Sequence, residues 1–360
     1  MRDYLYNLAT DRYGGLIASA IKFLLFILSL IYGAIVRILI LFYGLKPKRL
    51  SCKVISVGNI TLGGSGKTSL VEYIANYLKQ QGRRVVILTR GYKKNSKLKT
   101  QNSKLSYEKM GDEPFMLANK LGDIPVIVDV DRIRGAKKAM EDYQVDTVLL
   151  DDGFQQWRIR KDLEIVTIDS TDPFGNQHLL PRGILREPLS SLKRADTLVL
   201  TKTNLNPDTV DLKDVLSRIN PSALIIESIH QPMGFYKINQ PDELLNVGIL
   251  KGKTVTLVSG IGDPDSFENL IISLGINIGL AFRFPDHHHY SEKDLKKIVE
   301  ASKKKNIDAI VTTEKDTVRL TSYLRPLTCN LQPFLVLRIG LKIIKNENEF
   351  HSRLLRLYSL

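Results

Sequence analysis

Cysteine is nearly absent: Cys52 and Cys329 are the only two in 360 residues. They are too few and too far apart to build a disulfide framework or a metal knuckle, which fits a reducing cytoplasmic setting. Acidic residues are also short, at 38 against 52 lysines and arginines, leaving a net charge of +14. That deficit calls for an anionic partner, which on charge alone is nucleic acid, an acidic membrane surface or a phosphorylated substrate. The basic residues are spread along the chain without an aromatic-studded basic stripe, so no nucleic acid is expected. Internal repeats and low-complexity tracts are missing, which leaves ordinary globular α/β cores as the default, two of them and of unequal size.

Long hydrophobic runs are scarce too, and the single one is therefore informative. Residues 16–42 are almost wholly apolar, broken only by Lys22 and Arg37, and residues 23–36 are uninterrupted. A spanning helix needs about 20 apolar residues; Lys22 and Arg37 lie near the ends of the run, where their stems extend it by snorkelling. No small-residue cleavage site succeeds it, so the expectation is an anchor, not a signal peptide. Lys46, Lys48, Arg49 and Lys53 come directly after it and by the positive-inside rule keep the rest of the chain in the cytoplasm, beside anionic head groups. Whether the segment spans the bilayer, lies in its interface or is a buried core helix stays open at this level.

Just beyond the anchor the chain reads Val57-Gly58-Asn59-Ile60-Thr61-Leu62-Gly63-Gly64-Ser65-Gly66-Lys67-Thr68. Residues 53–57 read as a strand, residues 69–80 have helical spacing with Leu70, Ile74 and Leu78 in line, and residues 84–88 read as a second strand. The glycine-rich turn of this βαβ unit lets backbone N–H groups of Thr61, Gly63, Gly64, Ser65 and Gly66 close on phosphates at a helix N-terminus. Lys67 neutralises β- and γ-phosphates and the Thr68 hydroxyl ligates Mg²⁺. Thr61 stands where the strict pattern has glycine, so this is a variant phosphate loop.

A second strand, residues 146–150, ends in Asp151-Asp152-Gly153-Phe154-Gln155. A carboxylate at the carboxyl edge of a parallel strand is how Mg²⁺ is held beside a phosphate loop. One of Asp151 and Asp152 suffices for the metal; the other serves a further phosphate, the substrate or a water.

Taken with Thr-Arg-Gly-Tyr at 89–92, Gly-Asp-Glu-Pro at 111–114, Leu-Pro-Arg-Gly-Ile-Leu-Arg-Glu-Pro at 180–188, Phe-Pro-Asp-His-His at 284–288 and Thr-Glu-Lys-Asp at 313–316, these motifs resemble the tetraacyldisaccharide 4′-kinase family, up to about residue 320. The resemblance implies transfer of the ATP γ-phosphoryl group, with Mg²⁺, to the 4′-hydroxyl of an acylated glucosamine disaccharide 1-phosphate lipid, forming lipid IVA in lipid A biosynthesis. It also implies a place at the bacterial inner membrane with the catalytic part on the cytoplasmic face and an anionic membrane surface as partner; it names no protein partner. A membrane-anchored P-loop ATPase or GTPase of regulatory or partitioning type is the alternative. Guanine recognition would want a terminal aspartate, which Thr201-Lys202-Thr203-Asn204 lacks.

Residue roles come from the same resemblance. Asp112 is expected to accept the hydroxyl proton, although Asp112 and Glu113 equally suit the first turn of a helix. His287 is its expected partner, the two setting one working pKa together. Three successive histidines, 287–289, alternate sides in extended chain and converge poorly on one ion. Arg90, Arg132, Arg182 and Arg186 offer guanidinium forks to phosphate oxygens; Asn59, Tyr92, Asp152 and Gln155 are candidate substrate contacts. Thr68, Asp151 and Glu187 are the candidate metal contacts, with Glu187 alternatively pairing with Arg186.

The expected fold is α/β: a P-loop NTPase-like, largely parallel sheet flanked by helices, a smaller second α/β lobe and an N-terminal apolar membrane helix. Residues 1–50 form the anchor with its basic juxtamembrane segment and 51–208 the nucleotide-binding core. Residues 209–360 form the C-terminal lobe that contributes the Asp286-His287-His288 loop.

Overall fold

Strands buried on both faces are the framework. Val85–Thr89 and Thr147–Asp151 are buried at all five positions, as aliphatic runs are when helices cover both sides of a parallel sheet. The computed structural model describes residues 8, 11, 13–91, 110–206, 208–324 and 333–359. Its strands, in chain order, are β1 (Lys53–Gly58), β2 (Val85–Thr89), β3 (Val126–Val128), β4 (Thr147–Asp151), β5 (Leu163–Asp169), β6 (Thr197–Thr201), β7 (Leu224–Lys237), β8 (Gln240–Leu245), β9 (Thr254–Ser259), β10 (Asn277–Arg283), β11 (Ala309–Thr313) and β12 (Phe334–Lys345).

The chain divides into two compact units. The first comprises residues 1–90, 124–229 and 341–360, the second residues 91–123 and 230–340. The sequence expectation placed boundaries after residues 50 and 208; the second compact unit also takes in residues 91–123, while residues 209–229 and 341–360 group with the first.

In the first unit the strand order is β3-β2-β4-β1-β5-β6-β7, and each pairing is parallel. The helix Arg132–Tyr143 sets Ala136 and Ala139 against Val54, Val86, Leu88, Val148 and Leu150. A second cluster gathers Phe154, Val166, Ile168, Leu198 and Leu200 with Leu216 of the helix Val210–Ile219. The helix Lys67–Gln80 buries Leu70, Val71, Ile74, Ala75 and Leu78, a stripe at helical spacing. The C-terminal helix Glu347–Arg356 rests on it: His351 stacks on Tyr77 with ring centroids 3.9 Å apart and approaches the Tyr73 hydroxyl at 2.7 Å.

The apolar segment is a 30-residue helix, Leu16–Leu45, about 45 Å long at ~1.5 Å per residue. Among the described residues it alone is long and apolar enough to cross a membrane, with mean hydropathy 2.6 in an 18-residue window of which only 17% is buried. Ala18, Ser29, Gly33 and Val36 are its buried residues. Along that stripe Gly33 lets the Leu179 side chain come close, Phe26 meets His178 edge to face at 5.7 Å, and Tyr32 donates to the Arg186 carbonyl. Leu16, Phe23, Leu24, Ile31, Leu41 and Phe42 are exposed. That exposure sets it apart from a core helix, which would be mostly buried.

The second unit holds the order β10-β9-β11-β12, all parallel, with β8 antiparallel to the far end of β7. Its helices are Asp112–Leu121, Pro264–Ser273, Glu292–Lys304 and Glu314–Leu324. Leu295, Ile298 and Val299 pack with Val258, Ile310 and Val336 on one side, and Phe267, Leu270 and Ile271 with Val255, Leu257 and Val311 in another cluster.

Candidate active site

At the end of β1 the chain must turn sharply and leave its amides open. Gly58 has no room for a side chain, since an added Cβ would stand 2.5 Å from the Phe154 backbone nitrogen. Gly66 caps the helix Lys67–Gln80 in the left-handed region, at φ 77°. Between them Ser65 is pinned: its hydroxyl accepts from the Asn59 amide at 3.0 Å and lies 2.8 Å from Thr167 Oγ1, and its carbonyl accepts from Thr201 Oγ1 at 3.2 Å. A buried serine thus fixes a loop whose following helix points its N-terminus, with Lys67 and Thr68 in its first turn, toward any bound phosphate.

The segment of residues 184–187 is laid against this loop by its backbone. Leu62 N donates to the Ile184 carbonyl at 2.8 Å, and Arg186 N to the Ile60 carbonyl at 2.7 Å. Arg186 Nη1 then reaches both carboxylate oxygens of Asp152 at 2.9 Å, and Lys67 Nζ stands 3.7 Å from the same carboxylate. Burial pulls the Asp152 pKa up, but the charges of Lys67, Arg186 and Arg132 outweigh it and hold the group below its ordinary value. Asp152 adopts φ 54°, a backbone state that non-glycine residues occupy at a cost and that recurs at functional sites.

Asp151 ends β4 and is buried. Arg132 is 2% exposed, bonds the Asp129 carbonyl and sits within the field of Asp151 and Asp152. Burial brings its pKa down to about 10 against the pull of those carboxylates, so it stays charged at neutral pH. The Nε atoms of Arg132 and Arg186 are buried and have no hydrogen-bond partner among the described residues.

Gln155, Trp157 and Glu187 form a support behind Arg186. Glu187 is fully buried; Oε1 accepts from Gln155 at 3.1 Å and from Trp157 at 3.2 Å, and Oε2 accepts from Arg194 at 2.9 Å. Gln155 also donates to the Asn59 carbonyl at 3.0 Å.

In the second unit a different constellation forms. Asp112 opens its helix after Gly111, whose φ is 90°. His287, itself at φ 62°, brings Nδ1 to 2.9 Å from Asp112 Oδ2. Burial pulls the Asp112 pKa up, yet the hydrogen bond from His287 and the Arg319 charge prevail and hold it below the usual carboxylate value. That hydrogen bond is also the main cause of the raised His287 pKa, ahead of the opposing effect of burial. Asp112 is therefore ionised at neutral pH and Nδ1 carries the shared proton. His288 turns away to Asp294 at 3.3 Å and stacks on Phe284, and His289 is exposed.

Sequence-predicted residues accordingly fall into two groups. Lys67, Thr68, Arg132, Asp151, Asp152, Gln155 and Arg186 come together in the first unit, and Asp112 and His287 in the second. Asn59, expected at substrate, faces inward and shapes the loop. Glu187, expected at metal, gives both oxygens to Gln155, Trp157 and Arg194, because its side chain is wholly enclosed. Arg182 instead pairs with Asp11 at 2.9 Å, and Arg90 is exposed. Tyr92 and Cys329 lie outside the described residues. Sequence reasoning passed over Arg319, a charge on the helix Glu314–Leu324 that is 1% exposed; the only signal was its place one turn beyond Thr313-Glu314-Lys315-Asp316.

Residues 21–359 match the sequence profile of the family described as Tetraacyldisaccharide-1-P 4'-kinase. A tetraacyldisaccharide 4'-kinase of Halothermothrix orenii is 35% identical over 347 residues, 89% of this chain and 88% of the relative. The enzyme of that name from Elusimicrobium minutum is 37% identical over 343 residues, 91% of this chain and 89% of the relative. The crystal structure of LpxK from Aquifex aeolicus in complex with ATP superposes with TM-score 0.75 at 31% identity, covering 94% of this chain and 100% of that one.

Proposed function

Because this chain belongs to the tetraacyldisaccharide 4'-kinase family, we propose that its two constellations divide the labour of one phosphoryl transfer, to an acylated disaccharide 1-phosphate. The protein is an ATP-dependent 4'-kinase of lipid A synthesis. The glycine-rich loop and Lys67 hold the ATP phosphates. Arg132 and Arg186, whose Nε donors have no partner among the described residues, bind phosphate oxygens of nucleotide or acceptor. Thr68 and Asp151 are the residues that would hold Mg²⁺. Their hydroxyl and carboxylate oxygens at a phosphate loop are the donor set such an ion takes, and when bound it neutralises β- and γ-phosphate oxygens.

Asp112 receives the proton of the acceptor hydroxyl. Its Oδ2 is occupied by His287 and lies 3.0 Å from Arg319 Nε, while Oδ1 accepts no hydrogen bond among the described residues. An ionised carboxylate with one free oxygen orients a hydroxyl and takes its proton as the new P–O bond forms; a loose transition state asks little more of it. The Asp112–His287 distance is the observation that carries this reading.

The exposed face of Leu16–Leu45 seats the protein at the inner membrane where its lipid acceptor resides, and the basic residues after it favour the anionic cytoplasmic face.

The test is transfer of γ-labelled phosphate from ATP, with Mg²⁺, to acylated disaccharide 1-phosphate in detergent micelles. Lys67→Ala and Asp112→Ala are each expected to lower kcat by on the order of 10²- to 10⁴-fold. Full activity of Asp112→Ala would remove the proton-acceptor role; label released as free phosphate without entering lipid would remove the acceptor chemistry altogether.

A further inference from the structure

Arg319 is the most enclosed cation among the described residues, and nothing in the phosphate-binding set uses it. It is 1% exposed. Nε lies 3.0 Å from Asp112 Oδ2, the oxygen that His287 also contacts. Nη1 donates to the His288 carbonyl at 3.1 Å and reaches the Gly260 carbonyl at 3.5 Å, the carbonyl that accepts from the His287 backbone N–H at 3.2 Å. Nη2 donates to the Lys315 carbonyl at 3.4 Å.

One planar fork therefore touches the carboxylate of Asp112 and both sides of the backbone turn that carries His287. That turn needs holding, since His287 occupies the left-handed region at φ 62°. The remaining frame is Asp316, fully buried: it accepts from Gly260 N, the Tyr290 hydroxyl and the Thr313 hydroxyl, and stands 3.8 Å from Arg319 Nη2. A buried arginine of purely structural use needs its own counter-charge, and Asp316 supplies one. The second carboxylate on the same guanidinium is the proposed proton acceptor.

We propose that Arg319 is a positioning residue for phosphoryl transfer, acting through Asp112 and His287: it fixes the pair's geometry and keeps Asp112 ionised. The proposal rests on the proton-acceptor reading of Asp112. A positive charge within contact distance of a carboxylate lowers its pKa by about 1–3 units, and the same charge disfavours protonation of the adjacent imidazole. The charged groups facing Asp112 are His287, Arg319 and, further away, His289; Asp286 faces His287 at 3.7 Å. Glu113 is taken by Lys315 at 2.6 Å. Among the described residues, removing the Arg319 charge leaves the carboxylate to the two histidines, so both members of the pair titrate at higher pH.

The experiment is the pH profile of kcat for label transfer with full-length protein in micelles, comparing wild type, Arg319→Lys, Arg319→Gln and Asp112→Ala. Arg319→Gln is expected to move the acid limb up by about one pH unit or more and to lower kcat, with the ATP dissociation constant unchanged, since the nucleotide loop belongs to the other unit. Arg319→Lys keeps the charge and loses the fork: its acid limb stays at the wild-type position while kcat falls. An unshifted acid limb in a folded Arg319→Gln protein overturns the proposal, provided Asp112→Ala is inactive; an active Asp112→Ala fails the underlying reading instead. If Arg319→Gln does not fold, Arg319→Lys decides: a raised KM with unchanged kcat overturns the role.

Discussion

The hydroxyl of Tyr32, halfway along the apolar helix, donates to the main-chain carbonyl of Arg186 at 2.8 Å, and the guanidinium of that same Arg186 grips Asp152. The residue that shapes the candidate phosphate site is thus fastened from behind by the apolar helix. Tyr32→Phe removes one partly buried hydrogen bond, about 1 kcal/mol. Transfer activity in micelles is expected to fall by a factor on the order of 5, with the ATP dissociation constant little changed. Wild-type activity in this variant would show that the anchor does not steady Arg186.

Trp157 is the only tryptophan of the chain, and its indole N–H donates to Glu187. Glu187→Ala leaves Arg194 without its partner and frees the donors of Gln155 and Trp157. A cost of ~3 kcal/mol is expected, the lower end for a broken buried ion pair because Arg194 keeps some solvent. Chemical denaturation gives that number directly. Trp157 emission in the folded variant should move to longer wavelength as water enters; an unchanged spectrum would mean the enclosure survives without the carboxylate.

Stability should carry the signature of the Asp112–His287 pair. His287, with its pKa raised above 6.5, contributes stability fully below that pH and loses it as pH climbs through the raised value. Asp112, with its pKa lowered below 3.8, contributes above 3.8 and loses that as pH drops through the lowered value. The pair is worth most between 3.8 and 6.5. Asp112→Asn also strips Arg319 of a counter-charge, a loss that is the same at any pH where Asp112 is ionised and so does not distinguish about pH 5.5 from about pH 8.5. The Tm deficit of Asp112→Asn is therefore expected to be larger at about pH 5.5 than at about pH 8.5, a window set by this linkage; an equal or reversed deficit contradicts the pairing.

Gly58→Ala drives a methyl group into the Phe154 backbone, 2.5 Å away. Overpacking of this kind costs about 1–3 kcal/mol, and here it pushes apart β1 and the Asp152 turn. Both Tm and ATP affinity should fall together. Loss of neither would mean the close approach relaxes freely.

The phosphate loop was legible because its signals are local: glycine, lysine and threonine in order, with a strand before and a helix after, give Lys53–Gly58 and Lys67–Gln80 nearly to the residue. β10, Asn277–Arg283, was passed over because none of its residues is fully buried and its apolar pattern is broken by Gly279. The three-residue β3 is too short for any periodicity. Membership of the 91–123 segment in the second unit is a matter of packing, made through ion pairs such as Lys120–Glu314 and Lys315–Glu113, which leave no trace in residue order. The pairing of Asp112 with His287 was anticipated from motif resemblance, whereas Arg319 was not, because a lone arginine on an amphipathic helix looks like any solvated charge until its burial is known.

A helix of 30 residues that hides only a narrow stripe against its own protein leaves the rest of its apolar girth uncovered. For an enzyme held in a lipid surface by that face, as proposed above, bulk concentration of the acceptor loses its meaning. The search for substrate becomes lateral diffusion in two dimensions, and the rate tracks the mole fraction of acceptor in the surface. Diluting the micelles with plain detergent at constant total acceptor should then slow turnover, although every molecule of enzyme and acceptor is still in the tube.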